Sequence, residues 1–221
     1  MWRRVHIRIK DPISGYTHLG GMLLAMAGLV LLILKAVQLG TAWHVVSFTI
    51  FGGSMVLLYA ASAFYHLLSL SPRGDYIMRR IDHMMIYLLI AGSYAPFCLV
   101  ALRGAWGWSM FGFIWTTAIV GMVVNFFWTK APRWLYTLLY AVMGWAVVIA
   151  TRPLLQALPA GGFVWLLTGG LFYTVGAVIY AVKWPKLKPG VFGFHELWHL
   201  FVLAGTMSHF WAVYRYVAEL P

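Results

Sequence analysis

Long uninterrupted apolar segments constrain the fold of this chain more than any other feature. Apolar residues recur in blocks of about 17 to 25, the length of α-helix that crosses a hydrocarbon core of about 30 Å. Backbone N–H and C=O groups cannot stay unpaired in lipid, so each block must be a helix or part of a closed barrel. Membrane strands alternate between polar and apolar residues, whereas "AMAGLVLLILKAV" is apolar on every side. The sequence therefore predicts an all-α integral membrane protein.

Glycine, proline and charged residues separate seven such blocks. The predicted spans cover residues 13–34, 43–68, 81–102, 106–128, 135–150, 162–182 and 192–217. The connections between them are short, including "SPRGDYIMRR", "TKAPR" and "KWPKLKPG", so successive helices should run antiparallel in one seven-helix bundle. We expect a single transmembrane domain over residues 1–221, in which residues 1–12 form a short basic segment and no removable signal peptide is present.

The distribution of positive charge predicts the orientation of the bundle. The chain has 16 Lys and Arg against 5 Asp and Glu, a net charge of +11, and only 10% of its residues are charged. On so apolar a chain, we attribute this excess to loops that face anionic headgroups, and we expect no nucleic-acid partner. Twelve of the sixteen basic residues fall on the side of the N-terminus and four on the other side. The N-terminus is therefore predicted to be cytoplasmic and the C-terminus to lie outside, in a multi-pass protein of the cell (inner or plasma) membrane.

Ionisable residues inside a span are costly and mark candidate functional sites. His66 lies near the cytoplasmic end of the second span, and Asp82 lies near the cytoplasmic start of the third. On the seventh span, His195 and His199 follow Val191 by about 6 and 12 Å along the helix axis. Three helices therefore carry histidine or carboxylate at a similar depth. The full set within spans is His18, His66, Asp82, His83, His195, Glu196, His199 and His209.

The spacing of these residues favours a zinc site. His195 and His199 are four residues apart and share one helix face, as do Ser62 and His66. Catalytic Zn²⁺ takes three protein ligands and a water in a tetrahedron. We predict His66, His195 and His199 as the ligands, with Asp82 as the catalytic carboxylate that orients or deprotonates the water. Ser62 would assist catalysis by holding a neighbouring or substrate oxygen.

Two structural interpretations stay open for the same residues. The histidine pair could hydrogen-bond across helices or reach the membrane interface without any metal. Asp82 could pair with Arg79 or Arg80 at the headgroups. The single cysteine, Cys98, excludes both an intrachain disulfide and a cysteine-based metal cluster.

The remaining ionisable residues carry weaker predictions. "HELWH" also fits the H-E-x-x-H metalloprotease pattern, which would make Glu196 the base. We instead expect Glu196 to be solvated or to support the site from outside. His18 lies at the right depth to support it too. His83 points about 100° away from Asp82, and His209 should bond within the core.

Three segments of the chain resemble the bacterial hemolysin III family. They are "SAFYH", "RRIDHMMIYLLIAGSYAPF" and "FHELWHLFVLAGTMSHF", on the second, third and seventh spans, and the similarity starts at "DPISGYTHLGG". The family belongs to a wider group with the progestin and adipoQ receptors and the alkaline ceramidases. The resemblance implies seven helices, a cytoplasmic N-terminus, zinc on His66, His195 and His199, and roles for Asp82 and Ser62 beside it.

The resemblance also directs the functional hypotheses. Ceramidase and receptor relatives are associated with zinc-dependent hydrolysis of lipid amides, and bacterial members with membrane lipid homeostasis. We expect a zinc-dependent hydrolase of an acyl amide or ester, with a membrane lipid as substrate. The alternatives are a metal-stabilised membrane sensor without catalysis, a membrane-perturbing hemolysin-like protein and an intramembrane metalloprotease.

Overall fold

The computed structural model of the chain describes residues 9–128, 132–185, 187–188 and 191–221, and the side chains of residues 133 and 134 are not described. Several basic residues of the charge pattern lie outside these ranges: Arg3, Arg4, Arg8, Lys130 and Lys186. Most of the basic N-terminal segment is likewise not described.

The described ranges form eight α-helices and no strand beyond an isolated bridge between Lys188 and Phe192. The helices are α1 (Pro12–Leu39), α2 (Ala42–Leu67), α3 (Pro72–Pro96), α4 (Ala105–Phe127), α5 (Arg133–Trp145), α6 (Thr151–Ala157), α7 (Ala160–Val182) and α8 (Phe194–Arg215). A π-helical turn at Phe97–Ala101 extends α3, and 3-10 turns at Ala146–Ala150 and Val217–Glu219 follow α5 and α8. The predicted all-α class is confirmed.

Six helical segments are long and apolar enough to cross a membrane. One of them is Leu135–Ala157, in which α5, the 3-10 turn and α6 run on as a single span of 23 residues. The predicted boundary at residue 150 was therefore too early. The seventh segment, α8, has 22 residues and a length of about 33 Å, enough for the hydrocarbon core. Its lower hydropathy reflects the polar residues that it contributes to the bundle interior.

The third helix begins nine residues before its predicted start. Ser71 caps it, accepting a hydrogen bond from the Gly74 N–H at 3.2 Å, and Pro72 occupies the first turn. Much of the expected loop "SPRGDYIMRR" is therefore helical. Arg80 on this extension donates to the backbone carbonyls of Asn125 and Phe126, at the C-terminal end of α4, where a cation is favoured.

The packing of the helices brings the first and last helices of the chain together. α2 and α3 are the most buried spans. α1 packs against α2 and α8, α8 packs against α7, and α4 and α5 lie against α3. Large apolar side chains such as Leu23, Val37 and Phe127 are exposed on the outside, as expected for a surface covered by lipid. The C-terminal end of α2 and the N-terminal ends of α1, α3 and α8 consequently share one end of the bundle.

Candidate metal centre

Three histidines from two helices converge at this end of the bundle. His66 lies in the last turn of α2, and His195 and His199 lie in the first two turns of α8. One ligand nitrogen from each falls within 4.8 Å of the others. The two Nε2 atoms of His66 and His195 are 3.5 Å apart. Tetrahedral zinc with Zn–N bonds of about 2.0 to 2.1 Å places its nitrogens about 3.4 Å apart, so this spacing fits the ion closely.

Asp11 sets the orientation of the His66 ring. The Nδ1 atom of His66 lies 3.1 Å from Asp11 Oδ2, and the Asp11 N–H donates to the His66 carbonyl at 2.9 Å. A proton on Nδ1, held by the carboxylate, leaves the lone pair of Nε2 directed at the cluster. Such a carboxylate–histidine pair is the usual support for a metal ligand.

Sequence reasoning did not identify Asp11. It precedes Pro12 at the start of α1, a position where an aspartate usually caps the helix, but its side chain makes no capping hydrogen bond. From the sequence alone, helix capping is a sufficient explanation for an aspartate at this position. Its real partner lies 55 residues away, which only the tertiary packing of α1 on α2 reveals.

The structure places Asp82 and Ser62 next to His66. The Asp82 side chain is 17% exposed, and its carboxylate interacts with the side chains of His83, His66 and Ser62. Ser62 is buried one turn before His66 on α2. Because the guanidinium of Arg80 binds carbonyls at the end of α4, the alternative in which Arg80 neutralises Asp82 is not what the structure shows.

His83 is the neighbour of Asp82 on the other side. Its Nδ1 lies 3.5 Å from Asp82 Oδ2 and donates to the Arg79 carbonyl at 2.7 Å. The ring is 40% exposed, and it lies outside the group of three histidines. His83 therefore contacts the carboxylate from the periphery, as the predicted 100° offset implies.

His18 lies against the cluster from α1. Its ring stacks on the His199 ring, with centroids 3.8 Å apart and an interplanar angle of 22°. The residue is 3% exposed, and neither ring nitrogen makes a hydrogen bond to any residue in the described ranges. The predicted proximity of His18 to the site is thus confirmed, although His18 does not belong to the converging ligand set.

The glutamate of "HELWH" serves as a helix cap. Glu196 Oε2 accepts the Gly193 N–H at 2.8 Å, and Oε1 accepts the Ser14 hydroxyl at 3.2 Å. Both oxygens are thereby engaged at the start of α8. His209, ten residues after His199, interacts with the Leu166 carbonyl through Nε2 at 3.1 Å, which confirms its predicted bond within the core.

The donor set fits zinc chemically. Imidazole nitrogens are preferred zinc ligands, and three of them leave one tetrahedral position for water or substrate. The adjacent carboxylate of Asp82 adds a group that can accept a proton. A metal on three imidazoles beside a carboxylate is a combination that can polarise a carbonyl group and activate a water.

Comparisons with known proteins match most of the length of the chain. A family model described as "Haemolysin-III related" matches residues 7–210, a range that includes the three histidines, Asp11 and Asp82. "Hemolysin-3 homolog" of Bacillus subtilis (strain 168) is 41% identical over 214 residues, which cover 96% of this chain and 97% of that protein. "Hemolysin-3" of Bacillus cereus is 41% identical over 210 residues, covering 95% and 93%. "Heptahelical transmembrane protein 4" of Arabidopsis thaliana is 30% identical over 198 residues, covering 77% and 48%.

Proposed function

The chain belongs to the haemolysin-III related family of multi-pass membrane proteins, and on that basis we propose that it is a zinc-dependent hydrolase of membrane lipids. The bond cleaved is an acyl amide or ester. The observation that carries this proposal is the approach of three histidine nitrogens to within 4.8 Å of one another, beside the mostly buried carboxylate of Asp82. A purely structural metal would not need a proton acceptor next to its ligands.

Zinc, when bound, polarises a carbonyl and lowers the pKa of a coordinated water towards neutrality. Asp82 accepts a proton from the attacking water, whose oxygen and remaining hydrogen end on the acyl carbon as the C–N or C–O bond breaks. Asp82 then returns the proton to the departing nitrogen or oxygen as its bond to the acyl carbon breaks, so that the products are a carboxylic acid and an amine or alcohol. Ser62 restrains the carboxylate, and Asp11 keeps Nε2 of His66 available to the ion.

The engagement of Glu196 argues against the metalloprotease alternative. That mechanism needs a free carboxylate beside the ion, and both oxygens of Glu196 already accept hydrogen bonds from Gly193 and Ser14. We assign the proton acceptor to Asp82 on α3 instead, because its carboxylate interacts with His66 while Asp11 is engaged at Nδ1 of His66. A bundle that exposes apolar side chains to lipid is also better placed to receive an acyl chain than a peptide.

The proposal is tested with Asp82→Asn in protein purified into nanodiscs and in cells. Wild type should carry about one zinc per chain and should change the cellular profile of N-acyl or O-acyl lipids. Asp82→Asn should keep its zinc and lose about 10²- to 10⁴-fold in hydrolysis, the usual contribution of a general base. Zinc content is measured by mass spectrometry of the metal and hydrolysis by release of labelled fatty acid.

Matched controls separate hydrolysis from its alternatives. His66→Ala should lose both zinc and hydrolysis, whereas Asp75→Asn, an aspartate paired with Lys10 at the surface, should lose neither. A lipid profile that is the same with and without the protein, together with full zinc occupancy, would favour a metal-stabilised protein without catalysis. Undiminished turnover in Asp82→Asn would remove Asp82 from the mechanism.

A further inference from the structure

A groove runs along the outside of the bundle between α1 and α8. Its volume is about 440 Å³, and small residues on both helices, Gly20, Gly21 and Ala204, give it depth. Leu24 and Met207 line the end of the groove that lies farther from the histidines, and both residues are more than half exposed. The hydroxyl of Thr17, also in the lining, donates to carbonyls of its own helix, so that it presents no unpaired polar group to the groove.

The long axis of the groove matches the way a lipid lies in one leaflet. From Tyr16 to Leu24 the lining of α1 extends about 12 Å, starting near the end of the bundle that holds the histidines. α8 also starts at that end, so Met207 lies on the deeper side. An acyl chain in the groove would therefore have its polar head at the level of the histidine cluster and its tail towards the centre of the membrane.

A single aromatic ring lies between the groove and the histidines. A β-carbon on Gly21 would touch both Leu203 Cδ2 and the Tyr59 ring, so the buried Tyr59 ring lies directly behind Gly21 of the groove lining. On its other side the Tyr59 ring packs edge-on against His18, with centroids 5.1 Å apart. His18 in turn stacks on His199. The contacts thus lead from the lipid-facing surface to a candidate ligand in three steps.

His18 supplies the second observation that points to a ligand. It is 3% exposed, and both of its ring nitrogens lack a hydrogen-bond partner within the described ranges. Leaving both nitrogens of a buried imidazole unpaired is unfavourable, because their hydration is lost without replacement. Nothing in the helix packing requires a histidine there, since the stacking on His199 and the contact with Tyr59 need only an aromatic ring.

We propose that the α1–α8 groove is a lateral binding site for one acyl chain of a membrane lipid, and that His18 hydrogen-bonds the polar group at the head of that chain. The groove assignment stands independently of catalysis. The role of His18 rests on the proposed function, because it places the amide or ester of the lipid beside the three histidines. Substrate then enters sideways from the bilayer instead of from the cytosol.

The test of the groove uses a photoactivatable lipid in phosphatidylcholine nanodiscs. The probe is an N-acyl sphingoid base with a diazirine in its acyl chain, and the crosslinked peptides are mapped by mass spectrometry. Label should appear on residues 16–24 of α1 and 203–207 of α8. Gly20→Leu should reduce this labelling several-fold, since nothing lies within 4 Å of a β-carbon at Gly20 and the leucine can fill the groove without a clash.

The matched control is Gly170→Leu on α7, where a β-carbon also meets nothing within 4 Å. It should label like wild type. Equal labelling of Gly20→Leu and wild type, or label confined to other helices, would overturn the groove assignment. So would crosslinks that join two copies of the chain through the groove, because they would identify a protein occupant. Loss of label in Gly20→Leu from a protein that hydrolyses nothing would leave the groove assigned and refute the proposed function.

The role of His18 is tested with His18→Phe, which keeps an aromatic ring against His199 but removes both nitrogens. Zinc content and labelling of the groove should be retained. The excess of unlabelled N-acyl sphingoid base needed to halve the labelling should rise several-fold relative to wild type, whereas an alkane of equal chain length should compete as before. An unchanged preference for the amide competitor would show that His18 does not bind the polar head.

Discussion

Single side chains decide what the histidine cluster can bind. Asp11 is the clearest example, because its carboxylate lies 3.1 Å from Nδ1 of His66 while Nε2 of His66 faces Nε2 of His195 at 3.5 Å. Such a hydrogen bond also holds the ring of a metal ligand in one orientation. The candidate site therefore contains candidate metal ligands and side chains that orient those ligands. Asp11 is one of the orienting side chains.

Asp11→Asn tests this orienting role. Loss of the negative charge should weaken zinc binding by about 10- to 100-fold, the usual cost of removing a hydrogen-bond partner of a metal ligand. The measurement is competition against a chelator of known zinc affinity, in detergent at constant pH. Asp75→Asn serves as the control, since its carboxylate lies 3.6 Å from Lys10 and Asp75 does not belong to the group of converging ligands. Equal affinities for both variants would show that Asp11 does not tune the site.

At the scale of helices, the start of α8 sets the position of two ligands. Glu196 accepts a hydrogen bond from the N–H of Gly193, the residue that precedes α8, and Ser14 ties the same carboxylate to α1. His195 and His199 lie in the turns that these hydrogen bonds stabilise. The motif "HELWH" therefore lies at the start of α8 and carries a histidine pair, and its glutamate accepts a hydrogen bond from the backbone.

Glu196→Gln and Glu196→Ala distinguish this capping role from that of a protease base. Glutamine retains an acceptor for the Gly193 N–H, so thermal stability and hydrolysis should both stay close to wild type. Alanine should lower the free energy of unfolding by about 0.3 to 1.5 kcal/mol, the range for one helix-capping interaction. Thermal melting in detergent and fatty-acid release measure the two effects. Abolished fatty-acid release in Glu196→Gln with an unchanged melting temperature would assign the base to Glu196 in place of Asp82.

At the scale of the whole molecule, the site depends on the closure of the bundle. The packing of α1 and α3 on α2 places Asp11 and Asp82 around His66. His195 and His199 join them because α8 returns to pack on α1. At the opposite end Lys35 of α1 binds Glu219 at 2.7 Å, which ties the C-terminal turn to the same helix. One helix thus contacts the site at one end and the C-terminal segment at the other.

The orientation of the bundle is predicted by its charge and can be tested directly. Twelve basic residues on the side of the N-terminus against four on the other place the C-terminus outside the cell. Alkaline phosphatase fused after Pro221 should therefore be active, and green fluorescent protein at the same place should be dark. The reverse pattern would invert the bundle and place the histidine cluster near the outer surface.

Several properties of this protein could be predicted from the sequence alone. Seven apolar segments are long enough to cross the membrane, and their uniform apolar character excludes membrane strands, so the sequence predicts seven helical spans. The spacing of four residues predicts that His195 and His199 share a helix face. Depth along each helix then selects His66 and Asp82 as their partners. These properties follow from local periodicity and from the thickness of the membrane, which act on each segment separately.

Only the tertiary structure decided how those segments face one another. The pairing of Asp11 with His66, the stacking of His18 on His199, the capping role of Glu196 and the groove beside Gly20 all depend on the rotation of one helix against another. Rotation arises from packing between residues distant in sequence, and in an apolar bundle many rotations bury similar side chains. Hydropathy cannot distinguish among them, because it measures transfer into lipid and carries no information about which face meets which neighbour.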